Sequence, residues 1–337
     1  MIPLSVLDLA TVGTGSTPAR ALAETTSTVV EAERLGFHRL WVAEHHAMPA
    51  VASSAPPVLI AHLASATSTI RVGAGGVMLP NHSPLVVAEQ FATLEALYPG
   101  RIDLGLGRAP GTDHVTARAL RRTLDLSADQ FPGDVKELIK YLLPSDGPPS
   151  HPSPVPGEGY APEIWLLGSS TFSAQLAGIL GLPFSFAYHF APTLLDEALE
   201  NYRTNFQPSV FLNEPHAMLA VSVVCAPTKD EALWLAGSSA LSIVRMRTGR
   251  IGLMPSPEEA AAYEFTPMEL AIATEAMASH QIGSPEEVLD GLRQLVRRTE
   301  VNEIMLSTRV HSYDARIISL ALVADAWGLK TTASTSL

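Results

Sequence analysis

One cysteine, Cys225, stands alone among 337 residues, which excludes an internal disulfide framework and a cysteine-rich metal site. It reads as a core thiol in a reducing compartment. Basic residues are also few. Twenty-two Lys and Arg against 34 Asp and Glu leave a net charge of -12, which argues against a nucleic-acid partner, since phosphate backbones are held by clustered cations. No uninterrupted apolar run reaches the roughly 18 residues of a membrane helix. The start, Met1-Ile2-Pro3-Leu4, lacks the basic and apolar segments of a secretion signal. The expectation is a cytoplasmic protein with no membrane partner. A dinucleotide fingerprint is missing too, because Gly105-Leu106-Gly107-Arg108-Ala109-Pro110 has proline where the third glycine belongs. Repeats of a solenoid are absent.

Hydrophobic residues make up 47% of the chain, enough for a large core. Apolar runs predict eight strands, at residues 4–10, 39–46, 70–78, 102–106, 164–167, 183–188, 216–226 and 303–307. Helical patterns lie between them. Thr17-Pro18 and Ser83-Pro84 combine an N-cap with proline at the first helical position, and Ser284-Pro285-Glu286-Glu287 reads as a capping box. Gly36 suits the left-handed residue that ends a helix. Eight alternations predict an α/β fold of the (β/α)8 TIM-barrel type, with a doubly wound open sheet as rival. The barrel is expected to span residues 1–330 as one domain with a tail at 331–337, and to carry insertions at 144–162 and 227–283. Seven prolines in 144–162 forbid a regular element there. Residues 249–283, with few helical repeats and many small residues, read as a mobile lid on the face that follows the seventh strand.

Four predicted strand ends carry polar or glycine-rich residues: Glu44-His45-His46, Gly73-Ala74-Gly75-Gly76, Gly107-Arg108, and Gly168-Ser169-Ser170-Thr171-Phe172-Ser173. In a barrel all four converge on one face. Successive strand residues point opposite ways, so His45 and His46 cannot share a pocket, and a metal site built from Glu44, His45 and His46 is disfavoured. No metal is expected. The serines with a nearby arginine suit a phosphate at a helix start, or merely an ordinary N-cap. The glycines suit close approach by a flat ligand, or a bulge.

Five segments, G-F-H-R-L-W-V-A-E-H-H (36–46), V-M-L-P-N-H-S-P (77–84), P-G-R-I-D-L-G-L-G-R (99–108), I-W-L-L-G-S-S (164–170) and I-G-S-P-E-E (282–287), follow one another in an order that resembles the bacterial luciferase-like flavin-dependent monooxygenases. The resemblance implies a barrel that binds reduced FMN at the strand C-termini. FMN would be supplied by a separate flavin reductase, and O2 would oxygenate a small organic substrate. It implies His45 as the active-site imidazole, with Glu44, Gly75, Gly76, Arg108, Ser169, Ser170 and Ser173 around the cofactor. It further implies a cis peptide between Gly75 and Gly76, and a homodimer in which Glu89 of one chain meets His46 of the other. Such chains also tailor natural products, including aromatic polyketides in antibiotic biosynthesis. Two departures, Gly107 in place of a reactive cysteine and Ser169 in place of an acid, argue against light emission. A deazaflavin-dependent hydride transferase and a non-catalytic flavin-binding protein remain alternatives.

Overall fold

Caps and turns in the sequence punctuate the chain as physical chemistry requires. Thr17 accepts from Arg20 N, Pro18 opens the helix Pro18–Leu35, and Gly36 ends it at φ 83°. A side chain on Gly36 would collide with the Lys330 carbonyl, so both the angle and the space demand glycine. Ser284 and Glu287 form the expected capping box of the helix Pro285–Thr299. The computed structural model describes residues 2–109, 114–120, 130–144 and 152–331.

The strands are β1 (Leu4–Asp8), β2 (Arg39–Val42), β3 (Arg71–Met78), β4 (Ile102–Gly107), β5 (Glu163–Gly168), β6 (Phe184–Phe186), β7 (Ala217–Cys225), β8 (Gln281–Gly283) and β9 (Glu303–Ser307). All of their mutual pairings are parallel. Eight of them form the ring β6-β5-β4-β3-β2-β1-β9-β7, closed by β6 on β7. This is the (β/α)8 barrel, and closure removes the open-sheet rival. β8 is a ninth strand that sequence periodicity passed over. It has three residues and extends from β7 outside the ring. The second strand stops at Val42, so Glu44, His45 and His46 lie in the loop beyond it.

Residues 249–283 differ from the expected irregular insertion. They contain the helices Pro257–Ala261 and Pro267–Met277 as well as β8. Each helix opens on a capping box, Ser256 with Glu259 and Thr266 with Glu269. Reciprocal caps rather than an apolar repeat define them, which is why periodicity missed them. Met254 ties this segment to the loop after β1, donating its N–H to Val12 O at 3.0 Å and accepting from Thr14 N at 2.9 Å. Residues 152–162 are irregular, as the prolines require. The rest of that insertion's centre (145–151), residues 110–113 and 121–129, and most of the tail (332–337) lie outside the described residues. Among the described residues no helix is long and apolar enough to cross a membrane.

The barrel interior is layered. At its N-terminal end Arg39 meets Asp103 at 2.9 Å, Glu163 at 3.2 Å and Glu303 at 3.0 Å. Arg71 adds bonds to Asp103 and Glu163. Burial alone would lower the Arg39 pKa, but the three carboxylates hold it above the usual value. Above this layer Trp41 and Trp165 pack edge to face with centroids 5.3 Å apart. Their indole N–H groups reach down to Asp103 (2.8 Å) and Glu163 (2.7 Å), so neither buried donor is left unpaired. Leu7, Met218 and Met305 fill the space around them. The larger core lies between the ring and its helices. Cys225 is buried, and burial pushes its thiol up to about 11, as expected of a core thiol. The ion layer and the two indoles fill the N-terminal part of the barrel interior, which leaves its C-terminal part for a ligand.

Candidate active site

That face holds a pocket above the tryptophan layer. Its walls are apolar, with Leu7 within and Leu9 just beyond β1, Trp41 and Ala43 at β2, Leu167 on β5 and Met305 on β9. The structure brings His45, Gly75, Gly76, Arg108, Ser169, Ser170 and Ser173 together around it. Residues from four separate segments, the first and last more than a hundred positions apart, therefore meet as the barrel geometry demands.

Each has a local cause for its position. The His45 N–H donates to Ser53 O at 3.0 Å, fixing the loop beyond β2 while the ring lines the pocket. The Gly75–Gly76 peptide is cis. A Cβ on Gly76 would strike Leu167 Cδ1 and lie 2.7 Å from Gly105 O, so only glycine lets these strands approach so closely. Arg108 follows β4 and lays its guanidinium over Phe172, 4.4 Å from the ring centroid. Phe172 is in the first turn of the helix Thr171–Leu180, whose N-cap is Ser170. The Ser170 side chain makes no cap bond to that helix, and Ser173 is buried in the same turn. No carboxylate pairs with Arg108 among the described residues. A cation, free hydroxyls and helix N–H groups thus converge, a donor set suited to an anion.

Glu44 does not belong to this constellation. The resemblance places it beside the cofactor; here it is not among the residues lining the pocket, and its carboxylate is taken up by two imidazoles and a backbone N–H. Glu44 and His46 meet each other instead. Glu44 Oε1 lies 2.8 Å from His46 Nε2 and 2.7 Å from His82 Nε2, and Oε2 accepts from Met78 N at 3.0 Å. Burial alone would raise the Glu44 pKa, yet these bonds hold it below the usual carboxylate value. Glu44, His46 and His82 each offer one ligand atom within 4.8 Å of the others, a spacing a metal ion would accept. His82 rather than His45 completes that group. Glu89 lies on the helix Pro84–Leu97 and is half-buried.

Several pocket residues escaped the sequence: Met78, Ser185, His189, Phe190, Ser307 and Arg309. His189 and Arg309 stand just past β6 and β9, and position after a strand was the one signal available. His189 Nδ1 is 3.0 Å from Ala220 O. Burial, with the charge of Arg309, pushes its pKa down to about 4 despite that bond.

Residues 2–303 match the family model described as luciferase-like monooxygenase. A protein of Escherichia coli (strain K12) that carries the name luciferase-like monooxygenase is 45% identical over 324 residues, 96% of each chain. N-acetyl-S-alkylcysteine monooxygenase of Bacillus subtilis (strain 168) is 36% identical over 336 residues, 97% of this chain and 98% of that one. The solved structure of apo-MsnO8 superposes with a TM-score of 0.92 at 38% identity, covering 98% of this chain and 100% of its own. With the closed barrel and the pocket at its strand C-termini, these matches show that the chain belongs to the luciferase-like monooxygenase family.

Proposed function

We propose that this chain is the oxygenase component of a two-component monooxygenase. It would take reduced FMN from a separate reductase and, with O2, oxygenate a small organic substrate. One observation carries the reading: Arg108, without an acid partner among the described residues, stands beside the unspent Ser170 cap on the rim of an apolar, glycine-walled pocket that also receives His45. A flavin phosphate suits Arg108, Ser169, Ser170 and Ser173, since a dianion there meets a cation and open donors. A flat ring suits the Gly75–Gly76 wall, where no side chain stands in the way. The flavin would supply the redox and oxygen chemistry, which amino-acid side chains cannot.

The protein's own part is to bind, orient and shield. Leu7, Leu9, Trp41 and Leu167 exclude water from the ring's surroundings. His45 would hold or deliver a proton at its imidazole, within the pH range where such rings exchange protons. The missing dinucleotide fingerprint supports a separate reductase as the source of electrons. Natural-product tailoring is the finer expectation within this proposal. Anaerobic titration of the protein with chemically reduced FMN, followed by O2 and a panel of aromatic, thioether and aldehyde acceptors, tests it. Capture of reduced FMN and an acceptor carrying one atom from labelled O2 is expected. Preference for a reduced deazaflavin would replace the reading with hydride transfer. Flavin binding without turnover of any acceptor would leave a binding protein.

A further inference from the structure

The pocket has a second arginine whose charge no acid balances among the described residues. Arg309 lies two residues beyond the end of β9 and lines the pocket. Its Nε is shut off from solvent and has no hydrogen-bond partner. Among the described residues it makes no ion pair. The contrast with the other interior arginines is plain. Arg39 has three carboxylates, Arg316 bonds Asp8 at 3.0 Å, and Arg101 is held by the carbonyls of Ile70, Ala64 and Thr67. Burial lowers the Arg309 pKa, and no neighbouring acid raises it.

Its surroundings sharpen the point. His189 and His280 stand near it, and burial pushes both down to about 4, so these rings are neutral and supply no counter-ion. A buried, uncompensated cation is costly to a fold, and folds retain one where an anion arrives to pair with it. Around the ring, β4 and β9 are four strands apart by either route, so Arg309 stands across the mouth from Arg108. The two cations therefore address opposite ends of the pocket. Arg309 offers a single positive charge among apolar walls, so the matching group carries a single negative charge. A phosphate dianion would leave net charge buried.

We propose that Arg309 seats the carboxylate of the acceptor substrate, whose apolar body lies along Leu7, Leu9, Trp41 and Met305. The substrate class is thus a small apolar carboxylic acid. This deepens the flavin-oxygenase reading and rests on it, with Arg108 reserved for the cofactor's phosphate. A guanidinium carries paired N–H donors in a planar fork, which matches the two oxygens of a carboxylate better than a point charge would.

The test uses octanoate and octanamide as matched probes, with binding to the whole protein followed by calorimetry, and FMN binding measured separately. Wild type is expected to bind octanoate about tenfold or more tighter than octanamide. Arg309→Met should erase that preference and leave FMN affinity within about twofold, while Arg309→Lys, which keeps the charge, should retain part of the preference. Equal binding of acid and amide by wild type would overturn the assignment, as would a preference that survives Arg309→Met. Loss of FMN binding in Arg309→Met would overturn it as well, because the cation would then serve the flavin. If wild type shows the Arg309-dependent preference but captures no FMN, the flavin reading fails and the carboxylate seat stands.

Discussion

His82 Nε2 lies 2.7 Å from Glu44 Oε1, joining the loop beyond β2 to the turn beyond β3. His46 Nε2 approaches the same oxygen at 2.8 Å. An ionised carboxylate only accepts, so both rings donate through Nε2–H. Glu44 also fixes the Met78 N–H, so one buried side chain braces the loop of His45 against the strand that carries Gly75 and Gly76.

Removing this brace should therefore affect stability before chemistry. Glu44→Ala leaves part-buried donors without their acceptor, and about 1–3 kcal/mol of stability should be lost. Thermal unfolding checks it. A melting temperature equal to wild type would show that the brace contributes nothing.

His45→Ala should fold and still bind reduced FMN, yet lose turnover by about 10²–10⁴-fold, the usual reach of a positioned proton-transfer group. Steady-state assays with chemically reduced FMN measure this apart from any reductase. Wild-type turnover would dismiss the imidazole from the reaction.

Arg108→Ala should act on binding instead. A charge-assisted bond to phosphate contributes about 1.5–3 kcal/mol, so the Kd for FMN should rise roughly 10- to 150-fold while that for riboflavin, which has no phosphate, changes little. Equal losses for both ligands would assign Arg108 to the ring rather than the phosphate.

Acid should destabilise the fold in a defined window. His189 and His280 titrate at about 4 when folded and near 6.5 in an unfolded chain. Between those values the unfolded state binds more protons, so their stabilisation is complete above about pH 6.5 and is lost as pH falls toward 4. Each can remove up to about 1.4 kcal/mol per pH unit there. Glu44 and Glu303, held below the usual carboxylate range, add their losses only at lower pH. Urea unfolding from neutral pH to about pH 4.5 should show this slope, and His280→Asn should flatten it. An unaltered slope in the variant would reassign the effect.

A two-fold homodimer is expected through the early helices, with Glu89 reaching His46 of the second copy. Val58, Val86 and Leu97, exposed on the helices Pro56–Ser65 and Pro84–Leu97, give that face apolar area to bury. Within one chain His46 already bonds Glu44, so Glu89 would add to that contact rather than supply a missing one. Sedimentation of wild type and Glu89→Gln decides. A monomer at micromolar concentration, or a dimer indifferent to the substitution, would remove the pairing.

The barrel was legible because its signals are local. Apolar runs marked eight strands, and Thr17, Ser284 and Gly36 marked helix ends through bonds made within a few residues. The pocket was legible where polar residues follow strands in short motifs, as at His45, Arg108 and Ser169–Ser173. Two kinds of feature stayed hidden. Short elements such as β8 and the helix Pro257–Ala261 are too brief to show a period. Arg309 stands out because no acid balances its guanidinium among the described residues, and that is a property of three-dimensional neighbours. The bonds of Glu44 stayed hidden for a related reason. Its carboxylate meets His82, 38 residues away, a contact that no local pattern announces.

The ion layer at the barrel floor bears on how the chain reaches its shape. Arg39 bonds Asp103, Glu163 and Glu303, partners 64, 124 and 264 residues along the chain. A fragment ending before β9 would hold this guanidinium with part of its counter-charge missing, and one beginning after β2 would leave Arg71 as the remaining arginine among Asp103, Glu163 and Glu303. Half-barrels cut from this chain should thus fail to fold singly, although two complementary pieces, mixed, have reason to reassemble around that one charge. The last strand to be synthesised completes the pairing of a residue made near the start, so the ring can acquire its full stability only once the ribosome has passed residue 303.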